Sequence, residues 1–375
     1  MAGTNLTVKG EGMASVDMGR VDRVLDVLER EHPGAQLLVN DPWSIYYLAG
    51  FYNEPYERFG GMLLARGQRP VIYNNVLNPL APFDNADVVE FSDTDDTIAA
   101  IASRVDPARA LGVDATMRSG FLVPLQERRV ASSFFLGSFA TTEVRERKDA
   151  EERRRMREAS RLNDQAVGLI AEHVREGVTE RELARELADV YAEIGADGLS
   201  FDPIVSFGAN AANPHHTPDG TRLASGDVVL FDIGCRYQGY CSDMTRTFLW
   251  GEPDEESLRI HDVVRRANEA AEAAIREGMR FCDLDRVARS LIEDEGYGPY
   301  FTHRLGHGIG LQEHEGGDVS SANEAMVEPG MCFSIEPGIY LPGRTGVRIE
   351  DLVLMTEDGA EVLNAYPKHA RRLDE

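Results

Sequence analysis

The chain has 375 residues, 42% of them hydrophobic, with 64 acidic against 39 basic side chains and a formal charge of −25. That length exceeds one typical core, so two domains are expected, and so negative a charge excludes nucleic acid as a partner. There is no apolar run long enough to span a membrane, and the start MAGTNLTVKGEGMASVDMGR lacks a signal-peptide core, so a cytoplasmic protein is expected.

The first domain is read over roughly residues 18–143. VDRVLDVLER has helical spacing of Val and Leu, and AQLLVNDPWSIYYLAGF reads as strand, turn and short helix. GGMLLARGQRPVIYNN reads as a strand pair around Gly67, and ADVVEFS and LGVDAT supply further strands. Strands alternating with helices make an α/β domain, and no catalytic motif stands out in it. The charge-dense EVRERKDAEERRRMREASRLNDQAVGLIAEHV then begins a long helix near residue 147 and marks the boundary, giving domains 1–146 and 147–375. Its mixed signs at helical spacing are those of a solvated face.

The second domain contains a weak repeat. Arg175–Gly195 matches Arg276–Gly296 at a constant offset of 101, pairing Gly177 with Gly278 and Gly195 with Gly296. A helix precedes each copy; a strand and then a hairpin follow it. The hairpins are GDVVLFDIGCRYQGYCSDMTRTFL and PGMCFSIEPGIYLPGRTGVRIEDLVLM, and their acidic residues, Asp232 and Asp243, then Glu336 and Glu350, recur in register. Two such halves would form a pseudo-symmetric site at their junction.

If the first hairpin turns on Gln238-Gly239 with an even loop, Asp232 lies opposite Thr245. Asp243 then shares the face of Asp232, diagonal to it at roughly 7–8 Å. A three-residue loop would separate them. Arg348 and Glu350 are two apart and share a face, so the arginine can orient that carboxylate. HRLGHGIGLQEHEGG adds His307, whose neighbours Gly306, Gly308 and Gly310 would let the backbone approach an ion closely. Four carboxylates and one imidazole suit hard or borderline divalent ions, and five ligands exceed one tetrahedral ion's need, so a metal pair is expected. Such a pair makes hydroxide at neutral pH, pointing to a hydrolase. His303 and His314 are read as proton donors or transition-state stabilisers, and NPHHTPDG places His215 and His216 on a turn-rich loop. His32, His173, His261 and His369 read as ordinary surface residues. Cys235, Cys241, Cys282 and Cys332 show no CxxC pairing and read as reduced thiols, the first two as strand packing.

The stretches GDVVLFDIG, GYCSDMTRTF, HRLGHGIGL, SIEPGIY and GVRIED closely resemble the pita-bread metallopeptidases, which include methionine aminopeptidase, aminopeptidase P and prolidase (Xaa-Pro dipeptidase). The resemblance covers about residues 147–360. LLVNDPWSIYYLAGF resembles the creatinase/prolidase amino-terminal domain, which methionine aminopeptidases lack. It implies an α/β amino-terminal domain followed by an α+β pita-bread catalytic domain with pseudo-two-fold symmetry. It also implies two divalent ions, Mn²⁺ or Co²⁺ with Zn²⁺ as an alternative. Asp232 would bind one, His307 and Glu336 the other, with Asp243 and Glu350 bridging. A hydroxide between the ions would attack, and Glu336 would carry the proton. His215 and His303 would stabilise the tetrahedral intermediate, His314 would contact the proline side, and Arg348 would support the site. HRLGHGIGLQEHE is closest to the prolidase style, so the expected substrates are short Xaa-Pro peptides, cleaved by a homodimer. The alternatives are an aminopeptidase P acting on longer peptides, or a small-molecule hydrolase or lyase on the same fold.

Lys9, Lys148 and Lys368 are the only lysines, so nearly all positive charge is Arg. An acidic, Lys-depleted surface is expected of a protein adapted to high salt, where counterions screen its self-repulsion. Activity is therefore predicted to collapse in low salt. Turnover measured in dilute buffer against molar salt checks this, and full activity in dilute buffer overturns it.

Overall fold

The computed structural model describes residues 14–375. The chain divides into two compact units, with the boundary between Arg145 and Glu146.

The first unit is built on a six-stranded mixed sheet. Gln36–Val39 lies in it, paired antiparallel with Gly61–Ala65 and parallel with Leu111–Val113. The strands Gly61–Ala65 and Val71–Asn75 pair antiparallel through a turn with Gly67 at φ 77°. The strands Asp87–Phe91 and Phe134–Leu136 add parallel pairs on the outer sides. The helix Met18–Glu31 packs Val21, Val24, Leu25, Val27 and Leu28 inward. The helix Pro42–Ala49 starts on the Asp41 side chain, which accepts from Ser44 N, and stops at Gly50 in the left-handed region.

The second unit consists of two halves of similar plan. The helices Ala150–Glu172 and Glu180–Glu193 serve the first, Glu255–Ala274 and Phe281–Asp294 the second. The strands follow the same order twice: Ile204–Phe207, Val228–Ile233, Met244–Leu249, and Gly306–Gly308, Cys332–Ile335, Asp351–Thr356. The repeat glycines fall at equivalent turns, Gly177 and Gly278 at φ 73° and 74°, Gly195 and Gly296 at 85° and 88°. Each half also buries its own cluster, one around Leu162, Leu187 and Phe231, the other around Ile260, Leu284 and Phe333.

A buried asparagine secures each half at the same point. Asn163 Nδ2 donates to the Ile233 carbonyl at 2.8 Å, and Asn268 Nδ2 to the Ile335 carbonyl at 2.9 Å. Those carbonyls directly follow Asp232 and directly precede Glu336, so the two acids do not occupy matched positions. In the first hairpin Asp232 pairs with Thr245, leaving Asp243 diagonal to it. In the second, the common register of Ile335 with Asp351 and Gly338 with Arg348 sets Glu336 directly opposite Glu350. The expected recurrence in register is thus corrected: the halves share a scaffold, and their carboxylates sit on it differently.

Other expectations are also adjusted. His261 is buried, not on the surface, with Nε2 at 3.0 Å from the Thr247 carbonyl. The glycines around His307 serve strand packing. A Cβ on Gly306 would lie 1.9 Å from the Ser334 carbonyl oxygen, and one on Gly308 1.7 Å from that of Gly316. All four cysteines are free and buried, and burial pushes the Cys235 and Cys241 thiols up to about 12. Lys148 and Lys368 are withdrawn into ion pairs with Glu315 and with Glu272 and Asp351, while Lys9 lies outside the described residues. No described helix is long and apolar enough to cross a membrane.

Candidate metal centre

The first hairpin turns on Gln238 and Gly239 with both φ positive, 49° and 86°. This is the two-residue turn whose twist matches paired strands. Tyr237 pairs with Tyr240 and Arg236 with Cys241, and the same register runs on to Asp232 and Thr245. Both aspartates therefore face one cavity.

That cavity has a volume of about 580 Å³, and its walls include Asp232, Asp243, His307, Glu336, Glu350, His215, His303, His314 and Arg348. The structure thus brings every sequence-selected site residue to one place. Asp243, His307 and Glu350 each offer a ligand atom, all within 4.8 Å of one another. Glu336 Oε1 lies 3.4 Å from His307 Nε2, and Asp243 Oδ2 lies 3.7 Å from the same nitrogen. Asp232, on the wall of the same cavity, is bonded to Arg348 Nη2.

Burial drives the electrostatics. The Asp243 and Glu350 carboxyls are pushed far above the usual range, first by burial and then by each other's neighbouring acids. Burial also raises Glu336, against the pull of Arg348. His307 is lowered to about 3 by burial and by His314, so its ring is neutral. Its Nδ1 lies 3.2 Å from the Gly308 carbonyl, which must accept the ring proton there. Nε2 therefore turns a lone pair toward the carboxylate oxygens of Asp243 and Glu336. Those lone pairs repel unless a proton or a cation lies between them, and a divalent cation satisfies the imidazole and the several carboxylates at once. Asp232 Oδ1, Asp243 Oδ1 and Glu350 Oε1 are in addition buried without hydrogen-bond partners. The residue set fits divalent metal.

Surrounding groups fix the carboxylates. The Ser334 hydroxyl accepts from His307 N at 3.0 Å and donates to Glu336 Oε1 at 3.1 Å. Thr245 Oγ1 donates to Glu350 Oε2 at 2.6 Å and accepts from Arg348 Nε at 3.1 Å. Arg348 therefore bonds Asp232 directly and reaches Glu350 only through Thr245, where the sequence suggested direct orientation of Glu350. Its Nη1 also donates to Tyr340 Oη at 2.9 Å and to the Pro214 carbonyl at 3.3 Å, tying in the loop that carries His215.

The histidines divide. His303 is lowered to about 4 by burial and by Arg348. Its Nδ1 lies 2.7 Å from the Arg304 carbonyl and its Nε2 2.8 Å from Tyr340 Oη. Both ring nitrogens are thus engaged, and neither donates into the cavity in this structure. His314 stacks obliquely on His307 with ring centroids 4.1 Å apart, and its side chain remains half exposed. His215 is exposed on its loop. His216 instead meets buried Glu180, Nε2 to Oε2 at 2.7 Å. Glu180 also accepts from Phe207 N, Asn210 Nδ2 and Asp219 N, so it clamps the loop and has no need of a cation.

Sequence reasoning missed Tyr340 and Thr245. The pleat gave a signal for Tyr340. It pairs with Gly346, one step diagonal from Arg348 on the same face. Gly338 makes the room, since a Cβ there would lie 2.4 Å from the Tyr340 hydroxyl.

Residues 154–357 match the model of metallopeptidase family M24. A curated relative from Staphylococcus aureus (strain bovine RF122 / ET3-1), described as an uncharacterized peptidase, is 37% identical over 94% of this chain and 100% of its own length. Among solved structures, a dipeptidase from Pyrococcus horikoshii OT3 is 33% identical with TM-score 0.87, covering 94% of this chain and 99% of that one. A prolidase from Thermococcus sibiricus is 34% identical with TM-score 0.87, covering 94% and 98%.

Proposed function

The chain belongs to metallopeptidase family M24, with its pita-bread fold, and from that membership we propose that it is a two-metal Xaa-Pro dipeptidase. The observation that carries the reading is the neutral His307 ring presenting Nε2 to the Asp243 and Glu336 carboxylates inside a cavity of short-peptide size. Similarity to a dipeptidase and a prolidase supports proline as the residue after the scissile bond. Mn²⁺ or Co²⁺ as the ions and a homodimeric assembly belong to the same reading.

Asp232, Asp243, His307, Glu336 and Glu350 would hold the ions. When bound, two divalent cations neutralise these carboxylates, bring the pKa of water toward neutrality and polarise the scissile carbonyl. The protein supplies the rest. Glu336, anchored by Ser334, takes the proton of the attacking water and returns it to the prolyl nitrogen, which must be protonated to leave. His215, exposed at the cavity wall, donates to the developing oxyanion, and His314 engages the carboxylate of the proline. His303 acts through Tyr340 and Arg348 as a positioning residue that holds the Asp232 side of the site.

The test is hydrolysis of Xaa-Pro and Xaa-Pro-Xaa peptides in high salt by metal-stripped protein titrated with Mn²⁺ or Co²⁺. Metal-dependent cleavage of the dipeptide is expected. Cleavage of the tripeptide alone makes it an aminopeptidase, and inactivity on both with metal bound overturns the proline-peptide reading.

A further inference from the structure

Two acidic residues on the cavity wall have no part in the proposed ligand set: Asp202 and Glu313. The cavity's cations are largely committed elsewhere. Arg348 is bonded to Asp232, and Arg304 Nη1 donates to Asp318 Oδ1 at 2.6 Å. His303 and His307 are held neutral by burial. The one ion-pair contact of Glu313 among the described residues is His314 Nε2 at 3.6 Å, and burial lowers that imidazole as well. Two divalent cations would match the four ligand carboxylates in charge, with none to spare for Asp202 and Glu313.

We propose that Glu313 and Asp202 form an acidic pole of the substrate cavity that selects a lysine or arginine side chain at the Xaa position. The inference rests on the Xaa-Pro reading above: the proline side chain carries no charge, so the Xaa side chain is the one that can bring a cation. The free ammonium is common to every peptide and does not discriminate. The crowding is visible at Glu313, whose carboxyl is pushed up to about 7 by burial, then by Asp232, with Arg236 opposing and Asp202 adding. A guanidinium or ammonium entering beside it relieves that repulsion.

The test compares kcat/KM for Arg-Pro and citrulline-Pro, which are nearly isosteric and differ in the charge of the terminal group. The unmodified enzyme, at the lowest salt that keeps it active, should favour Arg-Pro by about tenfold, as expected of one partly solvated charge pair. In the D202N/E313Q double variant, its fold checked by circular dichroism, the ratio should fall toward one. A ratio near one in the unmodified enzyme, or a preference that survives the double variant, overturns the proposal. If neither peptide is cleaved, the Xaa-Pro reading fails by itself. Calorimetric binding of L-argininamide against L-citrullinamide to the metal-loaded protein and its double variant then decides the charge selectivity alone.

Discussion

Asp243→Asn is expected to cut kcat/KM by at least about a thousandfold, and yet to make the metal-free protein more stable. A metal pair is worth several kcal/mol to the transition state, and about 4 kcal/mol corresponds to that factor. The stability change has the opposite origin. Asp243 is fully enclosed, its Oδ1 has no partner, and Glu350, Asp232 and Glu336 all disfavour its charge. A carboxyl whose folded pKa lies above its unfolded value keeps its proton in the fold while the unfolded chain releases it. The resulting penalty is absent below the unfolded value near about 4 and grows as pH rises through it. Asparagine removes the penalty and can donate to the surrounding oxygens. The metal-free variant should therefore be more stable than metal-free parent by about 1–3 kcal/mol at pH 7–8, with the gap closing toward pH 4. Added Mn²⁺ should reverse the order, because the parent gains more from binding. Urea denaturation with and without Mn²⁺ reads all of this. A metal-free variant less stable than its parent would show that the carboxylates are not mutually strained.

What the sequence discloses of this site follows from the periods of its backbone. A two-residue turn at Gln238-Gly239 places Asp232 and Asp243 on one face, because the pleat has period two and the loop length sets the register. The two halves could be matched by offset because Gly195 and Gly296 each follow a helix C-cap in the left-handed region. What stayed hidden depends on distance across the fold. Whether Glu336 faces Glu350 squarely or diagonally turns on where each strand begins relative to its helix. The Asn163 and Asn268 bonds that fix this span about seventy residues. His215 and His216 are adjacent and look alike in the sequence, but Glu180, in the helix Glu180–Glu193, claims only His216. His303 and Tyr340 lie 37 positions apart, and only folding makes them share a proton.

Arg246→Met is the second substitution with a large expected effect, and it acts on the fold behind the metal site. Arg246 is buried and donates to the Thr245 carbonyl at 2.9 Å, the Glu350 carbonyl at 2.6 Å, Asp351 Oδ1 at 2.6 Å and the Tyr366 carbonyl at 2.8 Å. Asp351 is itself fully enclosed, with Lys368 Nζ 2.7 Å from its other oxygen. Removing the guanidinium leaves the buried Asp351 carboxylate with Lys368 alone and takes a donor from three carbonyls, of which that of Thr245 still accepts from Glu350 N, and this costs about 3–5 kcal/mol. The exposed pair Arg157–Glu361 offers a contrast. At 2.7 Å it is equally short, but water screens it, and Arg157→Met should cost less than about 1 kcal/mol. Methionine keeps much of the arginine's apolar length, so the difference between the two variants isolates burial of charge. Adding Asp351→Asn to Arg246→Met should recover part of the loss, because the stranded charge is the larger share of it. Since Arg246 also holds the Glu350 carbonyl, Arg246→Met should weaken Mn²⁺ binding, whereas Arg157→Met should leave it unchanged. Urea midpoints and Mn²⁺ titrations of the three variants measure both effects. A loss below about 1 kcal/mol for Arg246→Met would mean that the strand carrying Glu350 is held by its backbone ladder without this arginine.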